Sequence, residues 1–404
     1  MSIDRSILRE PTLALPIHYK ASGKMYHPEK HLYKYEEILK KYSAPNYLIE
    51  KANQFWKGIN QVYREYFLGK HNRAYVNFVE TLEAQIEGIG LISSELPKIP
   101  FYKGRVNEGN LDFKDDEMFH IPYEKRGKVS TQRYSAPGMP CLYLGGSTYI
   151  CWLELNRPHF DQFQVAMIWQ KDQSKTYRLI DISMHPLKYI QVLENEEPRP
   201  GRRLTLEEYL QWWPVMAVCS IAVENENDTF KPEYVIPQFM LQYMLDKTKP
   251  EDYIGIKYLS VKAGRTSTKQ YESMEKNYVN YAIPIREARP GKNFCSFLER
   301  VFAVAKNYSG KELQVLTDMF RDANGKTWGE LMGEIPISED VIYGTNGDSY
   351  PYSKSVFARI EAVLNSKEER ISDDAVKFIP MTEKDIDEYL KSKIRVENET
   401  LIFG

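Results

Sequence analysis

The chain has 404 residues, so two or three domains are expected, and its hydrophobic fraction of 42% is enough to fill their cores. Its net charge of -2 gives no overall electrostatic reason to bind nucleic acid. Its sequence contains neither an apolar stretch of roughly 18 residues, which a membrane helix needs, nor an N-terminal apolar run of signal-peptide length. We therefore expect a soluble, cytoplasmic protein with no nucleic-acid and no membrane partner.

The N-terminal quarter has the pattern of amphipathic helices. Between residues 31 and 89, apolar residues recur at intervals of three and four, as in the run Tyr35, Ile38, Leu39 and Tyr42. Ser43 and Pro45 separate the first two runs, as a cap and an early helix proline do. We predict a helical region over residues 1–95, and it contains no chemical motif.

The central part of the chain has a different pattern, in which short apolar runs are bounded by Gly, Pro and Asn. The runs at 163–169, 177–183, 255–261 and 277–285 predict strands, and the run at 234–245 predicts a helix. Residues 96–300 are therefore predicted to form an α+β domain around a mixed sheet. Its limits are expected to be accurate only to about ten residues.

Beyond Ser309 the pattern is helical and polar again, which predicts a mainly helical C-terminal region over residues 301–404. The Gly- and Asn-containing segment 343–352 predicts a turn-rich loop. The charged segment 366–374 is most simply interpreted as a solvated connector.

The cysteines do not form a metal-binding or disulfide pattern. Cys141, Cys151, Cys219 and Cys295 are far apart in sequence, whereas zinc sites usually contain closely spaced ligands. A chain of this size also does not need a disulfide framework. Hence we expect neither a metal nor structural disulfides.

The segment 118–158 contains the candidate chemistry. A short apolar run begins at Cys141 and predicts a strand, two glycines follow, and Ser147 is suited to cap a helix that begins at Thr148. Ser147 and Glu154 would then lie two turns apart on one face of that helix. A carboxylate on a mainly apolar helix needs a partner or a function. Taken alone, however, Glu154 is more simply interpreted as a structural carboxylate, because such residues far outnumber catalytic ones.

Seven residues in ordered short motifs change that interpretation. They are Arg105 in FYKGRV, with Lys103 as an alternative; Arg133 in QRYS; Tyr143 and Ser147 in YLGGS; Glu154, seven residues after that serine; Gln238 on the predicted helix; and Ser260 in GIKYLS. In order and spacing, residues 101–285 resemble the RES family of bacterial toxins, which consume NAD. The resemblance implies a central domain related to ADP-ribosyltransferase folds.

The resemblance also implies a reaction: cleavage of NAD at the nicotinamide–ribose bond by hydrolysis, phosphorolysis or ADP-ribosyl transfer. It implies catalytic roles for Glu154, Tyr143 and Arg105. It implies NAD-binding roles for four further residues, namely Arg133, Ser147, Ser260 and Gln238. NAD would be the substrate and no metal would be needed. Phosphate, an antitoxin or a target protein are the other partners to expect.

Three alternatives remain open at this point. The protein could transfer ADP-ribose to a protein target, or it could be an inactive module that binds a nucleotide or a partner. The second alternative is favoured by the loop that reads QRYS where the family has Gly-Arg-Trp-Asn. A structural interaction protein built on tyrosine-rich helices is the third. From their size, we hypothesise that the flanking regions restrain the central domain or receive a signal.

Overall fold

The computed structural model describes residues 3–18, 29–109, 111–194, 204–262, 278–287, 293–313, 356–365, 367–372 and 375–379. Within these ranges the protein combines helices with a mixed sheet, which confirms the predicted α+β class. The predicted loop at 343–352 lies outside the described residues. The relation to ADP-ribosyltransferase folds stays a prediction.

Three helices form the N-terminal part, as the apolar periodicity predicted: α1 (Glu29–Lys41), α2 (Asn46–Phe67) and α3 (His71–Ile86). Pro45 directly precedes α2, where its fixed φ favours the start of a helix. The apolar face of α2 buries Phe55, Trp56 and Ile59, and α2 packs against both α1 and α3. Burial of each such large side chain contributes about 1.5–3 kcal/mol.

An eight-stranded sheet forms the centre of the protein. In spatial order its strands are β1-β5-β6-β7-β3-β2-β4-β8, and only β5 and β6 pair in parallel. The strands are β1 (Ser93–Glu95), β2 (Phe101–Val106), β3 (Cys141–Gly145), β4 (Phe163–Gln170), β5 (Arg178–Ile182), β6 (Tyr253–Leu259), β7 (Val279–Pro284) and β8 (Phe302–Tyr308). The four strands predicted at 163–169, 177–183, 255–261 and 277–285 are confirmed as β4, β5, β6 and β7.

The sheet extends one strand to either side of the predicted 96–300 limits, because β1 pairs with β5 and β8 pairs with β4. Within those limits lie the helices α4 (Thr148–Glu154), α5 (Pro186–Glu194), α6 (Leu206–Cys219), α7 (Val235–Lys247) and α8 (Ser296–Val301). The helix predicted at 234–245 is confirmed as α7. The division into three domains stays a prediction.

The described C-terminal elements are α9 (Val356–Asn365) and a hairpin of β9 (Lys367–Ser372) with β10 (Ala375–Ile379). The interpretation of 366–374 as a connector is wrong, because β9 occupies most of that segment. Pairing with β10 determines its structure, and the charged composition does not reveal such a pairing.

Two hydrophobic clusters cover opposite faces of the sheet. Phe101 and Ala166 belong to the main cluster, which includes the N-terminal helices, and their neighbours Tyr102 and Val165 belong to a smaller one. Adjacent strand residues point to opposite faces, so the clusters must lie on opposite sides. The smaller cluster joins α4 to α9, and we call it the α4 cluster.

Helix α4 packs directly against the backbone of β3. A Cβ atom at Gly145 would lie 2.5 Å from Ile150 Cγ2 and 2.7 Å from Cys151 Sγ, which is too close for any side chain. Glycine therefore permits the short distance between the last residue of β3 and the helix that follows it.

Candidate active site

A cavity of about 640 Å³ lies over the four central strands of the sheet. Its lining residues come from β2, β3, β6 and β7, from the end of α4, and from loops that include those carrying Arg133 and Lys262. Gly145, Asn280 and Tyr258 are register partners in three neighbouring strands, so they form one row across the sheet beneath the cavity. A cavity of this size can hold a drug-sized or nucleotide-sized ligand.

Helix α4 carries Glu154 to this cavity. Ser147 is its N-cap and accepts a hydrogen bond from the backbone N–H of Ile150 at 3.2 Å, as the sequence predicted. After Glu154 the chain turns sharply through Asn156 and Arg157, with φ of 62° and 55°. Left-handed backbone at a residue other than glycine costs of order 1–3 kcal/mol and is concentrated at functional sites.

Two side chains hold the Glu154 carboxylate by the same oxygen. Ser260 Oγ donates to Oε1 at 2.7 Å, and Asn280 Nδ2 donates to it at 2.6 Å. Among the described residues, no hydrogen bond reaches Oε2. We call this arrangement the carboxylate clamp; it fixes one oxygen and leaves the other available to a ligand in the cavity.

Lys262 supports the clamp from the backbone side. Its Nζ donates to the backbone oxygen of Glu154 at 3.0 Å and to Asn156 Oδ1, and it lies 3.4 Å from the Glu226 carboxylate. The backbone N–H of Lys262 donates to Ser260 Oγ at 3.2 Å. One lysine therefore ties the end of α4 to the serine that holds Glu154.

A buried arginine brings positive charge to the cavity. Arg133 is only 7% exposed, and its Nη1 donates to the backbone oxygen of Ile221 at 2.9 Å and of Cys219 at 3.4 Å. Among the described residues Nη2 finds no hydrogen-bond partner. The guanidinium also lies 5.1 Å from the centre of the Tyr234 ring. A guanidinium in a cavity wall is suited to an anion.

Lys103 is another cation that lines the cavity. It lines the cavity from β2, and burial together with the nearby charge of Arg105 lowers the pKa of its ammonium from 10.5 to about 8. We refer to these two lining residues, Lys103 and Arg133, together as the cationic side of the cavity, wherever in its wall each one lies. Placing two cations in a partly buried cavity is costly unless an anion offsets them.

Tyrosine rings complete the walls. Tyr143 Oη accepts a hydrogen bond from the Tyr134 N–H at 3.3 Å and lies 3.0 Å from Ser135 Oγ, where either group can donate. Tyr258 packs against Tyr134 with ring centres 4.5 Å apart, and burial raises the pKa of the Tyr258 hydroxyl well above 10. These hydroxyls stay neutral at physiological pH and act as hydrogen-bonding groups.

The structure brings four of the seven predicted site residues together. Glu154, Tyr143 and Arg133 line the cavity, and Ser260 binds Glu154. Gln238 lies on α7 outside the cavity, where its Nε2 donates to the Gln132 backbone oxygen at 2.9 Å and so supports the loop that carries Arg133.

The other two predicted site residues, Ser147 and Arg105, make structural contacts instead. Ser147 is fully buried and caps α4. Arg105 does not line the cavity: its Nη1 donates to the Glu117 backbone oxygen at 2.8 Å, and its guanidinium lies 3.7 Å from the centre of the Phe113 ring. Arg105 and Lys103 lie two residues apart on β2, about 7 Å along the strand, so only Lys103 is near enough.

The sequence did not single out Asn280 or Lys262. Asn280 lies on β7 between the apolar residues Val279 and Tyr281 and is 4% exposed. A polar residue buried within an apolar strand needs a partner, and this is the signal that could have identified it.

The cavity shows no sign of thiolate or metal chemistry within the described residues. Cys151 lines the cavity, but burial raises the pKa of its thiol to about 12. In the part of the chain that the structure describes, no three His, Cys, Asp or Glu side chains are grouped as a metal site would require. Among the described helices, none is long and apolar enough to cross a membrane.

A comparison with known proteins found a relative from Bacillus subtilis (strain 168), named "Putative toxin YopC". The two sequences are 32% identical over 324 residues, which is 78% of this chain and 69% of the relative. The aligned length therefore covers most of both proteins. No family model and no solved structure matches the chain.

Proposed function

We propose that this chain, which belongs to the family of the Bacillus subtilis protein named "Putative toxin YopC", is a toxin that cleaves NAD at its nicotinamide–ribose bond. The relative's name supports the toxin part of the proposal. The cleavage part is carried by a single observation: the carboxylate clamp holds Glu154 at a cavity that the cations Arg133 and Lys103 also line.

The reaction requires a carboxylate in such a position. When the bond breaks, its electron pair stays with the nicotinamide nitrogen, which loses its positive charge, and the ribose carbon becomes cationic. A preorganised carboxylate stabilises that developing charge, as in glycoside hydrolysis. Ser260 and Asn280 occupy Oε1 of Glu154, so Oε2 is the oxygen that would face the ribose.

The cationic side suits the other end of the substrate. The two phosphates of NAD carry negative charge, and the positively charged Arg133 lines the cavity. Lys103 adds a second positive charge while its ammonium is protonated. Charge-assisted hydrogen bonds to phosphate are roughly twice as strong as neutral ones. The tyrosine rings of the cavity can pack against the nicotinamide.

Three acceptors can react with the ribose carbon once the bond to nicotinamide is broken. Attack of water on the ribose carbon gives ADP-ribose, and attack of phosphate gives a phosphorylated ADP-ribose. Transfer to a protein side chain is the third outcome. All three reactions start with the same bond cleavage and the same carboxylate.

The test is loss of NAD and release of nicotinamide by the purified full-length protein, with and without inorganic phosphate. Glu154→Ala is assayed beside it, and Glu50→Ala on the exposed surface of α2 is the matched control. We expect turnover by the wild type and by the control, and none by Glu154→Ala. Nicotinamide release that depends on phosphate would identify phosphorolysis. Release that does not depend on phosphate would identify hydrolysis. A wild type that binds NAD without releasing nicotinamide, alone or with added proteins, would overturn the proposal.

A further inference from the structure

Helix α9 contacts the helix that carries Glu154, although the two are separated by about two hundred residues. Five of its side chains lie at helical spacing on one face, namely Phe357, Ile360, Glu361, Leu364 and Asn365. Ile360 and Leu364 are fully buried in the α4 cluster. This face of α9 therefore packs against α4 and β2.

Three contacts of this face fix α4 and the neighbouring strand. Phe357 packs against the rings of Tyr149 and Trp152 of α4, with ring centres 5.1 Å and 5.4 Å apart. At the other end of the face, Asn365 Nδ2 donates to Tyr102 Oη at 2.9 Å. Tyr102 precedes the cavity residue Lys103 on β2, so α9 contacts both the helix that carries Glu154 and the strand that carries Lys103.

Glu361 makes the central contact. Its Oε1 accepts hydrogen bonds from the Thr148 backbone N–H at 2.8 Å and from Thr148 Oγ1 at 3.3 Å, and the residue is 1% exposed. Thr148 is the first residue of α4, so its backbone N–H has no acceptor within that helix. A carboxylate there is also favoured by the helix dipole.

We infer that Glu361 is a positioning residue for Glu154, and that α9 is part of the active site although it lies outside the segment that resembles the RES family. Helix α4 has seven residues, so a shift at Thr148 is transmitted to Glu154 about 10 Å away along a short rigid rod. The clamp on Glu154 Oε1 requires hydrogen-bond geometry, and a tilt of α4 would break it.

This inference rests on the proposed function for its kinetic arm, but its structural arm is independent. The structural arm measures amide hydrogen exchange over residues 148–154 in full-length Glu361→Ala, Glu361→Gln and wild type. We expect at least tenfold faster exchange in Glu361→Ala, and near wild-type exchange in Glu361→Gln, whose amide oxygen can still accept from Thr148. Unchanged exchange in Glu361→Ala would overturn the inference, whatever the protein does to NAD.

The kinetic arm measures nicotinamide release at saturating and limiting NAD. We expect kcat of Glu361→Ala to fall about tenfold or more with little change in KM, and Glu361→Gln to recover most of it. Glu208→Ala is the control, since the Glu208 carboxylate also accepts from a backbone N–H at the start of a helix, that of Thr205 at α6, but no α6 residue lines the cavity. An unchanged kcat in Glu361→Ala, or an equal fall in Glu208→Ala, would overturn the inference. A wild type without activity would instead refute the proposed function and leave the exchange arm to decide the role of Glu361.

Discussion

The carboxylate clamp and the cationic side of the cavity differ in how completely their polar groups are satisfied. Glu154 Oε1 accepts two hydrogen bonds from side chains on β7 and just beyond β6, and Lys262 holds the backbone behind it. On the cationic side, Arg133 keeps an N–H without a partner among the described residues, and burial lowers the pKa of Lys103.

This difference indicates that the carboxylate clamp and the cationic side have different roles. A group that is rigidly held before the ligand arrives is suited to stabilising a transition state, because it does not have to reorganise. Groups that lack partners gain most from a ligand that supplies the missing charge and acceptors. We therefore expect changes to the clamp to lower kcat and changes to the cationic side to raise KM.

Apart from changes to Glu154 itself, the largest effect is expected from Asn280→Ala, which removes one of the two donors to Glu154. A hydrogen bond to a charged group is worth about 1.5–3 kcal/mol, so kcat for NAD cleavage should fall about 10- to 100-fold with little change in KM. Steady-state nicotinamide release measures both. Asn53→Ala is the matched control, because Asn53 also donates to a glutamate, Glu36, but on α2 away from the cavity. Similar losses in both variants would contradict the role of the clamp.

Next in size is Arg133→Met, which should raise KM for NAD about tenfold and change kcat less. The reason is loss of a charge-assisted contact to phosphate. Arg286→Met serves as the control, since Arg286, which is half-buried, likewise donates to backbone oxygens, those of Thr248 and Tyr253. If kcat falls and KM does not change, the expectation that the clamp determines kcat and the cationic side determines KM is refuted. Melting curves separate either effect from loss of fold.

A smaller, pH-dependent effect is expected from Lys103. Its ammonium is charged below its pKa of about 8 and neutral above it. Between pH 7 and pH 9 the charged fraction falls from roughly nine-tenths to roughly one-tenth, so KM for NAD should rise a few-fold over that interval. In Lys103→Arg the charge persists and KM should stay flat across the same range. A wild-type profile as flat as that of the arginine variant would show that Lys103 does not contact the substrate.

The smallest effect is expected from Arg105→Gln. Its guanidinium binds the Glu117 backbone oxygen and packs on Phe113, outside the cavity. Both kcat and KM should therefore change less than about twofold, which the same assay detects. A tenfold rise in KM would place Arg105 in the site after all and would favour the assignment made from the sequence.

Local sequence was sufficient for the parts of the fold that depend on local physics. The spacing of apolar residues predicted α1, α2 and α3, and the sequence around Ser147 predicted both the start of α4 and the position of Glu154 on it. Capping and helical periodicity involve residues within a few positions of one another, so they are visible in the sequence.

The partners of Glu154 could not be predicted in this way. Asn280 and Ser260 lie 126 and 106 residues beyond it, and Glu361 lies 213 residues beyond Thr148. These contacts depend on the order of strands β6, β7 and β3 in the sheet and on the docking of α9. Strand patterns do not determine the order of strands. Arg105 was assigned to the site for a similar reason. It lies on the same face of β2 as Lys103, and the sequence does not show which of the two lies at the cavity.

The most direct test of the central claim compares binding with turnover in Glu154→Gln. The amide oxygen can still accept from Ser260 and Asn280, so the geometry of the clamp should persist while its negative charge is lost. Calorimetric titration with NAD and the nicotinamide assay are run on the same preparation. We expect near wild-type affinity for NAD and a rate of nicotinamide release at least about 100-fold lower. Release at the wild-type rate would contradict this expectation, because the charge of Glu154 would then have no part in the reaction.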